Sequence, residues 1–213
     1  MLVGERMKSP VVTVSPDTPI VEASHLMKRE HIRRIPVVED GKIVGIVSKV
    51  DLLNASPSPV TSLSIWEINE LVSRVLVKEV MAKNVLTVTE GTPIEEAARI
   101  MADNQIGGLP VLRGDAVVGI ITETDLFKLF IELMGAREPG IRVMVLVAEK
   151  PGQLARITKA IADHGGNFVA FSQFAGVDAS NRLITCKVAG LNQNQVSEIL
   201  TPLVEKIVDL RTV

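Results

Sequence analysis

The chain has no tyrosine, one tryptophan and five phenylalanines in 213 residues, so its cores must be built from Val, Ile, Leu and Met. It has one cysteine, Cys186, which excludes an internal disulfide and fits a reducing compartment. The three histidines, His25, His31 and His164, are scattered, and none has a Cys or His neighbour at zinc spacing. His25 and His31, on or after a helix, read as surface residues, and no metal site is expected. Basic residues are not in excess: the formal net charge is −2 and no cluster of Lys and Arg stands out, which argues against nucleic-acid binding. No stretch approaches the ~20 apolar residues of a membrane span. Glu5, Arg6 and Lys8 interrupt the start, so a secretory leader is not expected either, and a cytoplasmic protein is the default. There is no G-x-S-x-G, no P-loop lysine and no nucleophile–base pair, so neither an enzyme nor a bound cofactor is expected.

What the chain does have is a duplication. Val44-Gly45-Ile46-Val47-Ser48-Lys49-Val50-Asp51-Leu52 returns as Val118-Gly119-Ile120-Ile121-Thr122-Glu123-Thr124-Asp125-Leu126, an offset of 125 − 51 = 74 residues. Met7, Val11, Thr13 and Val14 match Met81, Val85, Thr87 and Val88 at the same offset. Thr18-Pro19-Ile20 matches Thr92-Pro93-Ile94, and Pro36-Val37 matches Pro110-Val111. From residue 3 to 52 no gap is needed, and about two in five paired positions are identical, far above chance for one fixed period.

Each copy parses as β-α-β-β-α. A strand is expected over about Val11 to Val14. Thr18 is expected to cap a helix with Pro19 at its first position, and Ile20, Ala23 and Met27 then line one face. In the second copy, Thr92-Pro93-Ile94-Glu95 reads as a capping box. Two short strands follow, joined by Asp40-Gly41 in one copy and Gly114-Asp115 in the other. Ser48 then fits the N-cap of the last helix and Asp51 its third position. Two readings of that pair stand side by side. One is a capping box and nothing more. The other is a ligand site, because a helix start suits a phosphate and a carboxylate one turn in can accept from two ribose hydroxyls.

Paired units carrying Gly-h-h-[Ser/Thr]-x-x-Asp after an h-Pro-Val strand, where h is apolar, resemble CBS domains. The resemblance implies two sheets packed as a pair around two related clefts that take an adenosine-containing ligand such as AMP, ATP or an S-adenosyl compound. By motif position, Asp51 and Asp125 would hold ribose hydroxyls, and Ser48 and Thr122 would meet phosphate. Ile35-Pro36 and Leu109-Pro110, with Thr13 and Thr87 on the first strands, would wall the adenine. The clefts are expected to differ. Arg33-Arg34 precedes Ile35-Pro36, whereas Gly107-Gly108 precedes Leu109-Pro110, and Lys49 stands where the second copy has Glu123. A cleft lined by Arg33 and Lys49 would prefer phosphorylated ligands; the one near Glu123 would suit a neutral or cationic nucleoside, or stay empty.

Between the copies, Ser56-Pro57-Ser58-Pro59 reads as a linker. Leu63 to Leu76 reads as a helix with a Ser64–Glu67 capping box, and Trp66 as a core or dimer-interface anchor. After Glu138-Pro139-Gly140 the pattern changes. Ile141 to Val147 reads as a strand, and Leu154, Ile157 and Ile161 as a helical stripe. Phe168 to Phe174 and Leu183 to Val188 read as strands. A helix with Val196, Ile199, Leu200 and Leu203 is interrupted by Pro202, and Ile207 to Val213 closes with a strand. The order is βαββαβ, a ferredoxin-like arrangement. Cys186, in an apolar strand, reads as an inert buried thiol.

This tail resembles an ACT domain, on Lys150-Pro151-Gly152-Gln153-Leu154 opening the helix and Gly165-Gly166-Asn167 entering the second strand. The resemblance implies side-by-side pairing and amino-acid binding at Glu149, Lys150, Gly152, Gln153, Leu154 and Asn167, with Glu149 standing where the family has Asp. The expected architecture is thus α/β (α+β): a first repeat over 1–62, a linker helix over 63–76, a second repeat over 77–135 and a ferredoxin-like ACT domain over 139–213. That order resembles acetoin-utilisation proteins of the AcuB type. It implies a homodimeric regulatory sensor of a small molecule, with no nucleic-acid or membrane partner. The alternative is an interaction subunit of a metabolic enzyme with vestigial clefts.

Overall fold

The computed structural model describes residues 1–55 and 70–213, and the helical backbone alone of 65–69. The Ser-Pro linker, the Ser64–Glu67 capping box and the side chain of Trp66 lie outside the described residues. The chain divides into two compact units, Met1–Leu126 and Phe127–Val213.

In the first unit the 74-residue offset reappears as geometry. Helix α1 (Ile20–Arg29), strands β1 (Arg34–Glu39) and β2 (Lys42–Ser48) and helix α2 (Lys49–Asn54) make the first copy. Helices α3 (Ile65–Arg74) and α4 (Val77–Val80) lead to strand β3 (Val88–Thr89), helix α5 (Ile94–Asp103), strands β4 (Gly108–Arg113) and β5 (Ala116–Thr122) and helix α6 (Glu123–Leu133). Ile20, Ala23 and Met27 are buried on α1, as are Ile94, Ala97 and Met101 on α5, so both stripes face their cores. The strand order is β1-β2-β5-β4-β3, with the two hairpins joined at Lys42 and Ala116. Both hairpins carry a bulge at the same place, Val37/Val38 and Val111/Leu112. Asp40 (φ 48°) and Gly41 (φ 79°) are both left-handed, as a type I′ turn demands, whereas the second turn places Gly114 (φ 61°) first.

Three local expectations are corrected. Val11 to Val14 is not a strand; Val14 alone bridges Val37, and only the second copy extends that pairing to two residues, in β3. Pro19 and Pro93, not the threonines before them, occupy the caps of α1 and α5, and neither cap carries a side-chain hydrogen bond. The Thr92 hydroxyl turns back instead, accepting from Thr89 N at 3.1 Å. A threonine held by its own preceding turn is not available to the helix.

The leading segment of each copy crosses to the other. Lys8 pairs with Ile120 of β5 (2.9 and 3.1 Å), and Ala82 pairs with Ile46 of β2 (2.9 and 3.0 Å). Gly45 and Gly119 permit this. A Cβ on Gly45 would lie 2.9 Å from Met81 Cγ and 3.1 Å from Ala82 O, and one on Gly119 would lie 3.1 Å from Met7 Cγ and from Lys8 O.

The second unit contains strand β6 (Ile141–Ala148), helix α7 (Gln153–Asp163), strands β7 (Asn167–Ala175) and β8 (Asn181–Ala189), helix α8 (Gln193–Leu200) and strand β9 (Lys206–Thr212). The order βαββαβ matches the sequence reading, and the sheet runs β7-β8-β6-β9, all antiparallel. Pro202 sits in a single 3₁₀ turn directly after α8, as a ring without an N–H should. Alternate residues of β6 (Ile141, Val143, Val145, Val147) and of β8 (Ile184, Cys186, Val188) form a core with Ile157, Ile161, Val196 and Leu200. The stripe on α7 keeps Ile157 and Ile161 as expected but begins one residue earlier. Leu154 is exposed and Gln153 is buried.

Candidate functional site

Both Gly-h-h-[Ser/Thr]-x-x-Asp motifs turn from a strand into a helix, and in both the carboxylate folds back on the hydroxyl residue. Asp51 Oδ2 accepts from Ser48 N (2.7 Å) and Ser48 Oγ (2.6 Å), and Asp51 N donates to Ser48 Oγ at 3.3 Å. Asp125 Oδ2 accepts from Thr122 N (3.0 Å) and Thr122 Oγ1 (2.6 Å). All four residues are half-buried. The capping box is therefore real. The bonds that the carboxylates accept fall on one oxygen of each, Oδ2.

Arg34 opens β1 opposite Ser48, as Gly108 opens β4 opposite Thr122. Its guanidinium extends over the second copy. A Cβ on Gly107 would collide with Arg34 Nη2 and lie 2.6 Å from Glu123 Oε2; one on Gly108 would lie 3.0 Å from Arg34 Cδ. The two glycines are thus the space in which Arg34 lies. Burial pulls the Arg34 pKa below its ordinary value; Glu123 pulls it back up, Arg33 lowers it and Asp51 raises it. It stays a cation at neutral pH. Arg33 also crosses, donating from Nη2 to Thr124 Oγ1 at 3.1 Å. Arg33 and Arg34, both from the first copy, therefore stand at the start of α6, in the second.

Arg33 and Lys49, expected on one cleft, send their side chains to different places. Arg33 and Lys49 meet through the backbone, Lys49 N to Arg33 O at 2.8 Å, but their side chains part. Lys49 lines a separate cavity of about 160 Å³ with Ser24, His25 and Leu52. The motif position of Arg33 was legible; its direction depended on what faced it 91 residues later. Ile35 and Leu109 are fully buried core residues, and Pro36 and Pro110 are buried too. Strand alternation sends Arg34 outward and Ile35 inward. Thr13 is exposed and Thr87 half-buried.

In the second unit the Glu149–Leu154 turn does line a cavity, of about 420 Å³. Gly152 stands at the α7 N-cap with φ 83°, a conformation that favours glycine. Glu149 is ion-paired with Arg182, which the sequence reading missed and which, like Gln173, lines the same cavity. Gln153 Nε2 donates to Leu203 O at 2.6 Å, while its buried Oε1 has no partner among the described residues. Asn167 does not belong to this group. It lies opposite Ala189 at the far end of β7 from Gln173 and Ala175, about 20 Å along the strand at ~3.3 Å per residue. A Gly-Gly-Asn run marks only the strand's entry, and the register decides which end faces the turn.

Among the described residues no group of three His, Cys, Asp or Glu is placed to hold a metal. No helix among them is long and apolar enough to cross a membrane.

A duplicated strand–helix motif with a Ser/Thr–Asp box, in hairpins of one sheet, defines a tandem β-α-β-β-α module. The CBS domain family model matches residues 3–58 and 77–132, more than half the chain, and the chain belongs to that family. Among solved structures it is similar to the CBS domain pair of protein MJ0100 in complex with 5′-methylthioadenosine and S-adenosyl-L-methionine (28% identity, 65% of this chain and 98% of that one, TM-score 0.52). It is similar to AcuB of Vibrio cholerae, named for acetoin utilization (32%, 65% and 96%, TM-score 0.53). A third likeness is to CBSX2 in complex with AMP (26%, 61% and 96%, TM-score 0.50). The curated relative MJ1225 of Methanocaldococcus jannaschii, uncharacterised, is 32% identical over 128 residues; the match covers 56% of this chain and 44% of that protein's length.

Proposed function

We propose that the chain is a regulatory, non-enzymatic sensor that binds an adenosine-containing ligand in the clefts of its CBS pair. The observation that carries this is the pair of half-buried boxes at Ser48–Asp51 and Thr122–Asp125, with Arg34 lying near both Asp51 and Glu123. Each box can open at little cost, since a ribose hydroxyl replaces the serine or threonine hydroxyl on the carboxylate. Arg33 and Arg34 supply charge for a phosphate at the start of α6, and AMP, ATP or S-adenosyl-L-methionine are the candidates. The MJ0100 and CBSX2 complexes support the ligand class.

The division into 1–62, 63–76, 77–135 and 139–213 and the ACT reading of the tail belong to the same proposal. At the Glu149 turn, an amino acid's ammonium would take Glu149, and its carboxylate would take Arg182 and the first N–H groups of α7. Pairing of two copies and a role in acetoin or central carbon metabolism complete the reading. The alternative is an interaction subunit of a metabolic enzyme, favoured by the fact that both boxes are already satisfied internally.

Calorimetry with AMP, S-adenosyl-L-methionine and 5′-methylthioadenosine tests the sensor. At least one should bind saturably. Asp51→Asn or Asp125→Asn should weaken it tenfold or more, with the circular-dichroism spectrum unchanged. Binding by none of the three, or equal binding by both variants, would favour the interaction subunit.

A further inference from the structure

The face of the second unit's sheet turned away from α7 and α8 carries Arg142, Thr185 and Lys187, since the alternate residues on β6 and β8 form the helical core. On β8 every residue from Ile184 to Val188 is buried, so something covers this face as well. The cover is the chain from Met134 to Gly140. Lys187 Nζ donates to Gly135 O (2.7 Å) and Glu138 O (2.8 Å). A Cβ on Gly140 would lie 2.9 Å from Lys187 Cγ, so the lysine stem runs tight beneath this segment. Beside it is a cavity of about 250 Å³, walled by Met134, Ala170 and Val213 and faced by Arg142, Thr185 and Lys187.

Two features of this cavity are costly unless a ligand answers them. Lys187 is a cation on a residue 6% exposed, and its hydrogen bonds go to two uncharged carbonyls; two of three ammonium protons are used. Arg142, by contrast, is ion-paired with Asp209. Thr185 is 3% exposed, and its Oγ1 has no partner among the described residues. Buried charges are ordinarily paired, and an unsatisfied buried hydroxyl is destabilising. Thr185 and Lys187 are two residues apart on one strand face, about 7 Å, a span that the two oxygens of one anion can bridge to two donors.

We propose that this cavity binds a small aliphatic carboxylate, its oxygens accepting from Lys187 Nζ and Thr185 Oγ1 and its short chain packed on Met134, Ala170 and Val213. The volume fits an acid of a few carbons, about eight waters' worth at ~30 Å³ each. An amino acid is disfavoured, because Lys187 and Arg142 would repel its ammonium. The site is separate from the adenosine clefts and from the Glu149 turn.

The test is calorimetry on the full chain with sodium butyrate, against butyramide and against sodium chloride at equal ionic strength. Butyrate should bind saturably and the amide at least tenfold more weakly. Thr185→Val should weaken butyrate about tenfold without lowering Tm, because it removes a hydroxyl that bonds to none of the described residues. Thr185→Ser should restore binding, and Arg182→Ala should leave it unchanged. Butyrate no better than butyramide, full binding by Thr185→Val, or loss of binding in Arg182→Ala would overturn the proposal.

Discussion

Arg34 shows how a single side chain ties two copies of one motif together. Its backbone belongs to β1, but its guanidinium fills the space left by Gly107 and Gly108 beside Glu123. At this scale the sequence was legible where an interaction is local. Ser48 and Asp51 are three apart, so their box follows from spacing alone. Direction across the copies was not legible, because Arg33 reaches Thr124 only once the pairing of the two hairpins is set. Gln153 takes the buried place at the start of α7, where its amide donates to Leu203 O, a partner 50 residues on that no local pattern could show. Cys186 gives a prediction at the same scale. Burial pushes its thiol up to about 12 from an ordinary 9.0. Above about pH 9 the unfolded chain loses this proton while the folded chain keeps it. The folded state then binds more protons, and its stability falls as pH rises from 9 toward 12. Native protein should therefore react with a thiol-disulfide reagent at pH 8 far more slowly than protein in denaturant. Cys186→Ala should lessen the alkaline loss of stability in urea melts at pH 8 and pH 10. Rapid native labelling would contradict the burial argument.

At the level of elements, the organising feature is the exchange of leading segments. Lys8 pairs with β5 and Ala82 with β2, so each hairpin is completed by the start of the opposite copy. The repeat itself was visible as an offset, and so were the buried stripes of α1 and α5. The exchange was not, because leaders that share Val, Glu and Met at matching positions fit either hairpin by pattern. It rests on Gly45 and Gly119, which let a crossing backbone approach. Gly45→Ala should destabilise the first unit by about 1–3 kcal/mol, the usual cost of overpacking. The added carbon meets Met81, which can move, and Ala82 O at 3.1 Å, which moves only with the crossing backbone. Urea unfolding of Gly45→Ala, Met81→Ala and the double variant checks this. The double variant should be less destabilised than the sum of the single ones, since the smaller side chain relieves part of the clash. Simple additivity would mean that Gly45 serves only its own strand.

For the whole molecule, the decisive element is α6, because one continuous helix follows the second box and leads into the segment held by Lys187. Its N-cap, Thr122, is held by Asp125, and two residues after its last, Leu133, the carbonyl of Gly135 accepts from Lys187. A ligand that takes over Asp125 frees the Thr122 hydroxyl and changes the capping of this helix, an interaction of ordinary size about 1 kcal/mol. Coupling between distant sites is of similar magnitude, and it is reciprocal. S-adenosyl-L-methionine at saturation should therefore shift the butyrate affinity of the full chain by about fivefold or more. Butyrate should shift the nucleoside affinity by the same factor in the same sense. Two calorimetric titrations, each repeated with the other ligand present, measure both factors. Both ligands binding with a factor of one would mean that the two units respond separately, and α6 would then be a connector whose cap carries no message.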